Sequence, residues 1–136
     1  MEKRTLQILV LALILSFIAA APAAAGTYRV GCAFAITGGA SWLGEPQHNT
    51  VTYIEKQVNE SGGINGHELK LYIEDTQGNN TRAVNAVKKL IKKNRVSVII
   101  GPSRSGTSMA AIPVAEKAQV PMISCAAAEV MLQPVG

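Results

Sequence analysis

The feature that most restricts the fold is a hydrophobic period that switches back and forth between about two and about 3.6 residues along positions 28–124. Tyr28–Phe34 alternates and then turns almost wholly apolar before Thr37-Gly38-Gly39, the pattern of a strand buried on both faces that gives way to a loop. From Glu45 to Asn59, Val51, Ile54 and Val58 recur at helical spacing, and Ser61-Gly62-Gly63 supplies residues suited to a left-handed cap. Asn65-Gly66 then turns the chain into Glu68–Asp75, where Leu69, Leu71 and Ile73 alternate with charged neighbours, as in a strand near a sheet edge. Thr76–Asn80 is a polar loop. Thr81–Lys93 is an amphipathic helix with Ala83, Val84, Val87, Leu90 and Ile91 on its inner side. Val96–Ile100 is short, rich in β-branched residues and bounded by Gly101-Pro102, which marks the central strand. Ser105–Ala118 reads as a helix with Met109, Ile112, Val114 and Ala115 inside and a kink at Pro113, and Pro121–Ser124 begins a fourth strand.

Strands alternating with helices of this length are βαβ units, so the fold class is α/β, a parallel doubly wound sheet with helices on both faces and right-handed crossovers. Ahead of it, Lys3 and Arg4 precede an apolar run over Leu6–Ala21, then Pro22 and the small residues Ala23-Ala24-Ala25. This is the layout of a secretory signal peptide over residues 1–25, with cleavage after Ala25; the run is shorter than the roughly 20 residues of a membrane span. The mature segment, residues 26–136, is long enough for one modest core. It stops soon after the fourth strand, where a doubly wound lobe ordinarily adds more, so an incomplete lobe is expected.

Composition removes several function classes. The formal charge is +4, and the one basic cluster, Lys88, Lys89, Lys92, Lys93 and Arg95, falls on the outer side of a helix, which points to a solvated face and not to nucleic acid. Aromatic residues make up 4% of the chain, too few for the stacking platforms of single-strand binders. The only two cysteines, Cys32 and Cys125, fall in or at the end of strands and are expected to be free, buried thiols. No CxxC, metal-spaced His/Cys set, catalytic triad or carboxylate pair can be assembled, so no enzyme activity, metal or cofactor is expected. Asn59-Glu60-Ser61 and Asn79-Asn80-Thr81 match the glycosylation pattern, which matters only in a eukaryotic secretory route.

In sheets of this kind ligands sit beyond the carboxyl ends of the strands. The relevant loops are Thr37–Gly44, Thr76–Asn80, Gly101–Ser105 and Cys125–Glu129. Gly101-Pro-Ser-Arg-Ser-Gly-Thr-Ser108 is the most informative, because it leads from a strand into a helix amino terminus, whose unpaired N–H groups and positive dipole end favour an anion. Gly101 and Gly106 have P-loop spacing, yet Thr107 stands where the phosphate-binding lysine belongs. Two readings of the serines remain open here: Ser103 or Ser105 simply caps the helix, or the hydroxyls join an anion site. Trp42 either lines a pocket or covers the sheet end, Asp75 either orients a ligand or fixes its own loop, and Arg104 either pairs with an acid or faces solvent.

Taken in order, these segments resemble the first lobe of the branched-chain amino-acid type of periplasmic binding protein, the type I fold that serves ABC importers. The residues that carry the resemblance are Thr37-Gly38 with Gly44, Asn59 with Gly62-Gly63-Ile64-Asn65-Gly66, Asp75 with Ala83, Val96–Gly101, and Pro121-Met-Ile-Ser124. The resemblance implies a periplasmic protein that binds branched-chain amino acids or related small carboxylates, aromatic acids among them, and hands them to a membrane permease. It also implies that Ser105 and backbone N–H groups of Ala126-Ala127-Ala128 hold the ligand's carboxylate, with Leu43, Trp42 and Arg104 as further ligand-binding candidates. Amino-acid binders typically carry threonine where this chain has Ala128, which turns the expectation toward acids without an amino group. The second lobe is missing, so the isolated chain is expected to bind weakly. Alternatives are an extracellular sensor domain of the same fold, a non-functional fragment, or a secreted α/β enzyme completed by residues beyond Gly136.

Overall fold

The computed structural model describes residues 26–129, so the signal segment and its cleavage site lie outside the described residues. Four parallel strands form one sheet in the order β2-β1-β3-β4: β1 Thr27–Phe34, β2 Glu68–Asp75, β3 Val98–Ile100 and β4 Met122–Ile123. Three helices connect them: α1 Ser41–Glu60, α2 Asn80–Lys89, which runs on as a π turn over Leu90–Asn94, and α3 Ser105–Lys117. This is the doubly wound arrangement. The order changes direction between β1 and β3, so the loops after those strands diverge at the carboxyl rim and leave a crevice.

Alternation along β1 divides its residues between the two faces. Gly31 and Ala33 face α2 and α3, where Val87, Leu90, Val96, Ile99 and Ala111 are buried with Ala33 in one cluster. Gly31 has no side chain because Leu90 and Val96 come within 3.1 Å of where its Cβ would lie. Cys32 and Phe34, both fully buried, point to the opposite face, on which α1 packs. The basic residues Lys88, Lys92, Lys93 and Arg95 are exposed, as a solvated face requires.

Three expectations need correction. The first helix begins at Ser41, not Glu45, so Trp42 and Leu43 sit in its first turn and not in a loop. Gly44 and Pro46 look like breakers, but Gly44 is buried where α1 crosses the end of β1, and Pro46 removes one N–H within the second turn. The inner face of α3 consists of Thr107, Ser108, Ala111 and Ala115, with Val114 packed half-buried against the core; Ala115 and Val114 are inner as expected, whereas Met109 is 41% exposed and Ile112 only half-buried. Small residues are selected there because α2 and α3 lie closely side by side. Cys125 is exposed, since β4 ends at Ile123 and the chain has already left the sheet; Cys32 is buried as expected, and both thiols are free.

Edge strand β2 is closed off by side chains of α1. Leu69 N–H donates to Asn59 Oδ1 (2.8 Å), Asn59 Nδ2 donates to Leu69 C=O (2.8 Å), and Leu71 N–H donates to Glu55 Oε1 (2.7 Å). With its amide tied in this way, Asn59 is not presented as a glycosylation acceptor. Asn59→Ala leaves two backbone groups of Leu69 without their partners, and a loss of about 1–2 kcal/mol in urea unfolding is expected. Faster hydrogen exchange confined to Leu69 and its neighbours would mark the cause.

Candidate functional site

Four loops meet at the carboxyl rim, and two hydrogen-bonded hubs fix them. Asp75, the last residue of β2, accepts from Ile36 N–H (2.9 Å), Thr37 N–H (3.3 Å), the Thr37 hydroxyl (2.5 Å) and Gln77 N–H (2.9 Å). Burial raises its pKa, but these donors outweigh burial and hold the carboxyl below its usual value. Asp75 therefore joins the loop after β1 to its own loop. The second hub is Ser103, buried, whose hydroxyl accepts from Ala35 N–H (3.0 Å) and donates to Gln47 Oε1 (2.6 Å). It fastens the loop after β3 to the end of β1 and to α1.

The loop after β4 is secured in turn. Ser108 and Ser124 hydroxyls bond each other at 2.7 Å, Ser124 Oγ accepts from Ala126 N–H (3.1 Å), and Cys125 N–H donates to Pro102 C=O (3.2 Å). Gly101, at φ +102°, passes so near β1 that a Cβ would lie 2.4 Å from Ala33 O. That close approach brings the loops after β1, β3 and β4 together.

Between them lies a concavity of about 370 Å³, lined by Leu43 from α1, residues 103–106 at the start of α3, and residues 125–127 after β4. Its floor is the amino terminus of α3. Arg104 is the N-cap residue, in extended conformation; Thr107 Oγ1 accepts from Arg104 N–H (3.3 Å) and donates to Arg104 C=O (2.8 Å), and the first intrahelical backbone bond is Ser108 N–H to Arg104 C=O (2.9 Å). The N–H groups of Ser105 and Gly106 have no acceptor among the described residues, while Thr107 is buried and does not line the concavity. By contrast α2 is capped, Asn79 Oδ1 accepting from Arg82 N–H at 3.0 Å. Of the two readings left open for the serines, capping does not hold: Ser103 is occupied elsewhere, and Ser105 is half-exposed at the concavity with no hydrogen bond to its hydroxyl among the described residues.

Leu43, Arg104, Ser105 and Ala126 are brought together here. Ala126 N–H is already bonded to Ser124 Oγ, whereas the N–H groups of Ala127 and Ala128 have no acceptor among the described residues. Trp42, 72% exposed, and Ala128 do not line the concavity. Cys125, the first residue of the candidate loop Cys125–Glu129, also lines it, although it was not among the expected ligand-binding residues. Although the residue is exposed, partial desolvation of its thiol among the surrounding loops raises its pKa, only partly offset by a hydrogen bond from the Gly101 backbone, so it is a neutral thiol at pH 7. Burial, with Cys125 and Glu55 nearby, pushes Cys32 up to about 12. Neither has the character of a nucleophile. Among the described residues no His/Cys/Asp/Glu group could hold a metal.

These features define a class: a doubly wound lobe with a concavity at its carboxyl rim, where a helix amino terminus meets the loops after β3 and β4. The chain belongs to the periplasmic binding protein family, whose model matches residues 27–133. A curated relative, Leu/Ile/Val-binding protein homolog 7 of Brucella suis, is 31% identical over 121 residues, 89% of this chain and 29% of its own length. Among solved structures, the branched-chain amino acid transporter substrate-binding protein LivJ of Streptococcus pneumoniae, in complex with isoleucine, is 28% identical with a TM-score of 0.73, over 76% of this chain and 30% of that one. The leucine-binding protein LivK of Thermotoga maritima is 30% identical with a TM-score of 0.64, over 77% of this chain and 29% of that one. This chain therefore spans less than a third of the length of these relatives.

Proposed function

We propose that this chain is the amino-terminal lobe, residues 26–136 after removal of a signal peptide, of an extracytoplasmic solute-binding protein of an ABC importer. It captures small carboxylates in the periplasm and delivers them to a membrane permease, without catalysis. The observation that carries this reading is the start of α3, where Ser105 and Gly106 line an open concavity that no acidic side chain lines. A carboxylate placed there gains charge-assisted hydrogen bonds and the favourable end of the helix dipole. The hubs at Asp75 and Ser103 hold the donors in place beforehand, which limits the ordering cost of binding. The family relationship and relatives named for leucine, isoleucine and valine support a small carboxylated ligand.

The test is an NMR titration of the chain with leucine, butyrate and succinate. Saturable shifts are expected at the amides of Ser105, Gly106 and Thr107, with weak affinity because one lobe covers one side of the ligand. Ser105→Ala should weaken binding about tenfold, the lower end for loss of a hydrogen bond to a charged group. If no carboxylate moves those amides, this reading fails.

A further inference from the structure

We propose that the groove between α2 and α3 is a docking surface for an acidic amphipathic helix of a protein partner. The inference is independent of the carboxylate site, which lies at the carboxyl rim and shares no residue with this groove. A row of exposed lysines is ordinarily a solvated face, and three observations separate this one from that ordinary case.

The first is shape. Lys88, Ile91 and Lys92 form one wall, from α2 and its π turn, while Pro113, Val114 and Lys117 line the other, from α3. Spacings of three and four residues put each set on one flank of its helix, and the space between the walls is about 400 Å³. The second is an apolar floor. Ile91 and Val114 pack half-buried against the core yet also line the groove, and Pro113 beside them is exposed. Apolar groups rimmed by charge are the form of an interaction site. The third is unbalanced charge. No acidic residue lines the groove, and the ion pairs among the described residues, Lys56–Glu60 and Lys89–Glu74, involve none of Lys88, Lys92 and Lys117. Glu116, next to Lys117 in the chain, lines a separate depression with Val120 and Met122. Lys93 and Arg95, both exposed, extend the positive field past the π turn.

Shape and charge together specify the occupant. A cleft between two neighbouring helices accepts the ridge of a third, whose apolar residues at i, i+3, i+4 and i+7 would cover Ile91, Pro113 and Val114. Glutamate or aspartate on the flanks of that ridge would meet lysines from both walls, with the lysine stems adding apolar contact. A second copy of this chain brings the same cations and is repelled. An anionic bilayer answers the charge but is flat, so it leaves the floor of the groove uncovered.

The experiment titrates the full chain with a designed helical peptide that carries leucine at i, i+3, i+4 and i+7 and glutamate on both flanks. Two comparison peptides have lysine for each glutamate or serine for each leucine. NMR should show saturable shifts at the amides of Ile91, Lys92, Val114 and Lys117, and the glutamate peptide should bind at least about tenfold more tightly than either comparison peptide. Added salt should weaken it, as exposed charges require. Lys92→Glu combined with Lys117→Glu should remove the preference. Lys70→Glu combined with Arg82→Glu, at exposed positions outside the groove, changes net charge equally and should leave binding within about twofold. Equal binding of the glutamate and lysine peptides, shifts confined to other parts of the chain, or a preference that survives the groove double variant with native amide dispersion overturns the proposal. So does binding to phosphatidylglycerol vesicles that is tighter than to the peptide and lost in that variant, which assigns the face to a membrane. A concentration-dependent dimer with those amides at its interface overturns it equally. None of these outcomes bears on the carboxylate site.

Discussion

Gly44→Ala is expected to lower the unfolding temperature by more than 10 °C, although alanine is the better helix former by about 1 kcal/mol. A Cβ at position 44 would lie 2.2 Å from Ala35 O, 2.3 Å from its carbonyl carbon and 2.6 Å from its nitrogen. The obstacle is backbone, which no rotamer change relieves, so α1 must lift off the end of β1. Overpacking of a core costs typically 1–3 kcal/mol, and the rigid neighbour places this case at about 3 kcal/mol or beyond. Each kcal/mol moves the midpoint of a domain this size by roughly 4–8 °C. Gly39→Ala is the control, because nothing lies within 4 Å of its Cβ position. It should change stability by less than about 0.5 kcal/mol, the usual range for an unconstrained surface site. Equal midpoints for the two variants in a thermal scan would refute the account.

Asp75→Asn should destabilise the chain by about 2 kcal/mol at neutral pH, the lower part of the range for hydrogen bonds to a charged group, since most of its contacts are near solvent. The amide keeps one oxygen for the backbone donors but presents N–H to the Thr37 hydroxyl, which now donates to Oδ2. The pH dependence has a definite sign. Hydrogen bonds hold the folded carboxyl below its usual value, so its stabilisation is complete above about pH 4 and is lost as pH falls through the folded pKa. Urea midpoints of wild type and variant should therefore differ at pH 7 and converge in acid. A gap that stays constant from pH 7 down to pH 2 would refute the role given to the charge. Because Asp75 anchors the loop after β1, the variant should also weaken carboxylate binding without touching Ser105.

The parts legible in the sequence were those fixed by local pattern. β2 occupies the expected residues because alternation records one packed face, and α3 starts at Ser105 because hydroxyl-rich residues follow a β-branched strand. The parallel sheet followed from the alternation of elements, and the concavity lies at one of the loops the sequence singled out. What was missed depends on contacts that sequence spacing does not encode. The start of α1 is decided by Gly44 against Ala35, and the small-residue face of α3 by its closeness to α2, which overrides the bulkier apolar side. The Ser103 hub links residues 68 and 56 positions apart, and Asp75 reaches Ile36 across 39. Position 125 was misjudged because β4 is two residues long and an apolar stretch continues past it.

The side chains of Asn59 and Glu55 that occupy the outer rim of β2 give the sheet a single direction of growth. A strand arriving there finds the Leu69 amide and carbonyl and the Leu71 amide already engaged. Beyond β4 no described strand is paired, and Ile123 stands 63% exposed. Any added polypeptide, whether a continuation of the same chain or an intruding neighbour, is thereby steered to one flank, and accidental stacking of copies along the other is suppressed.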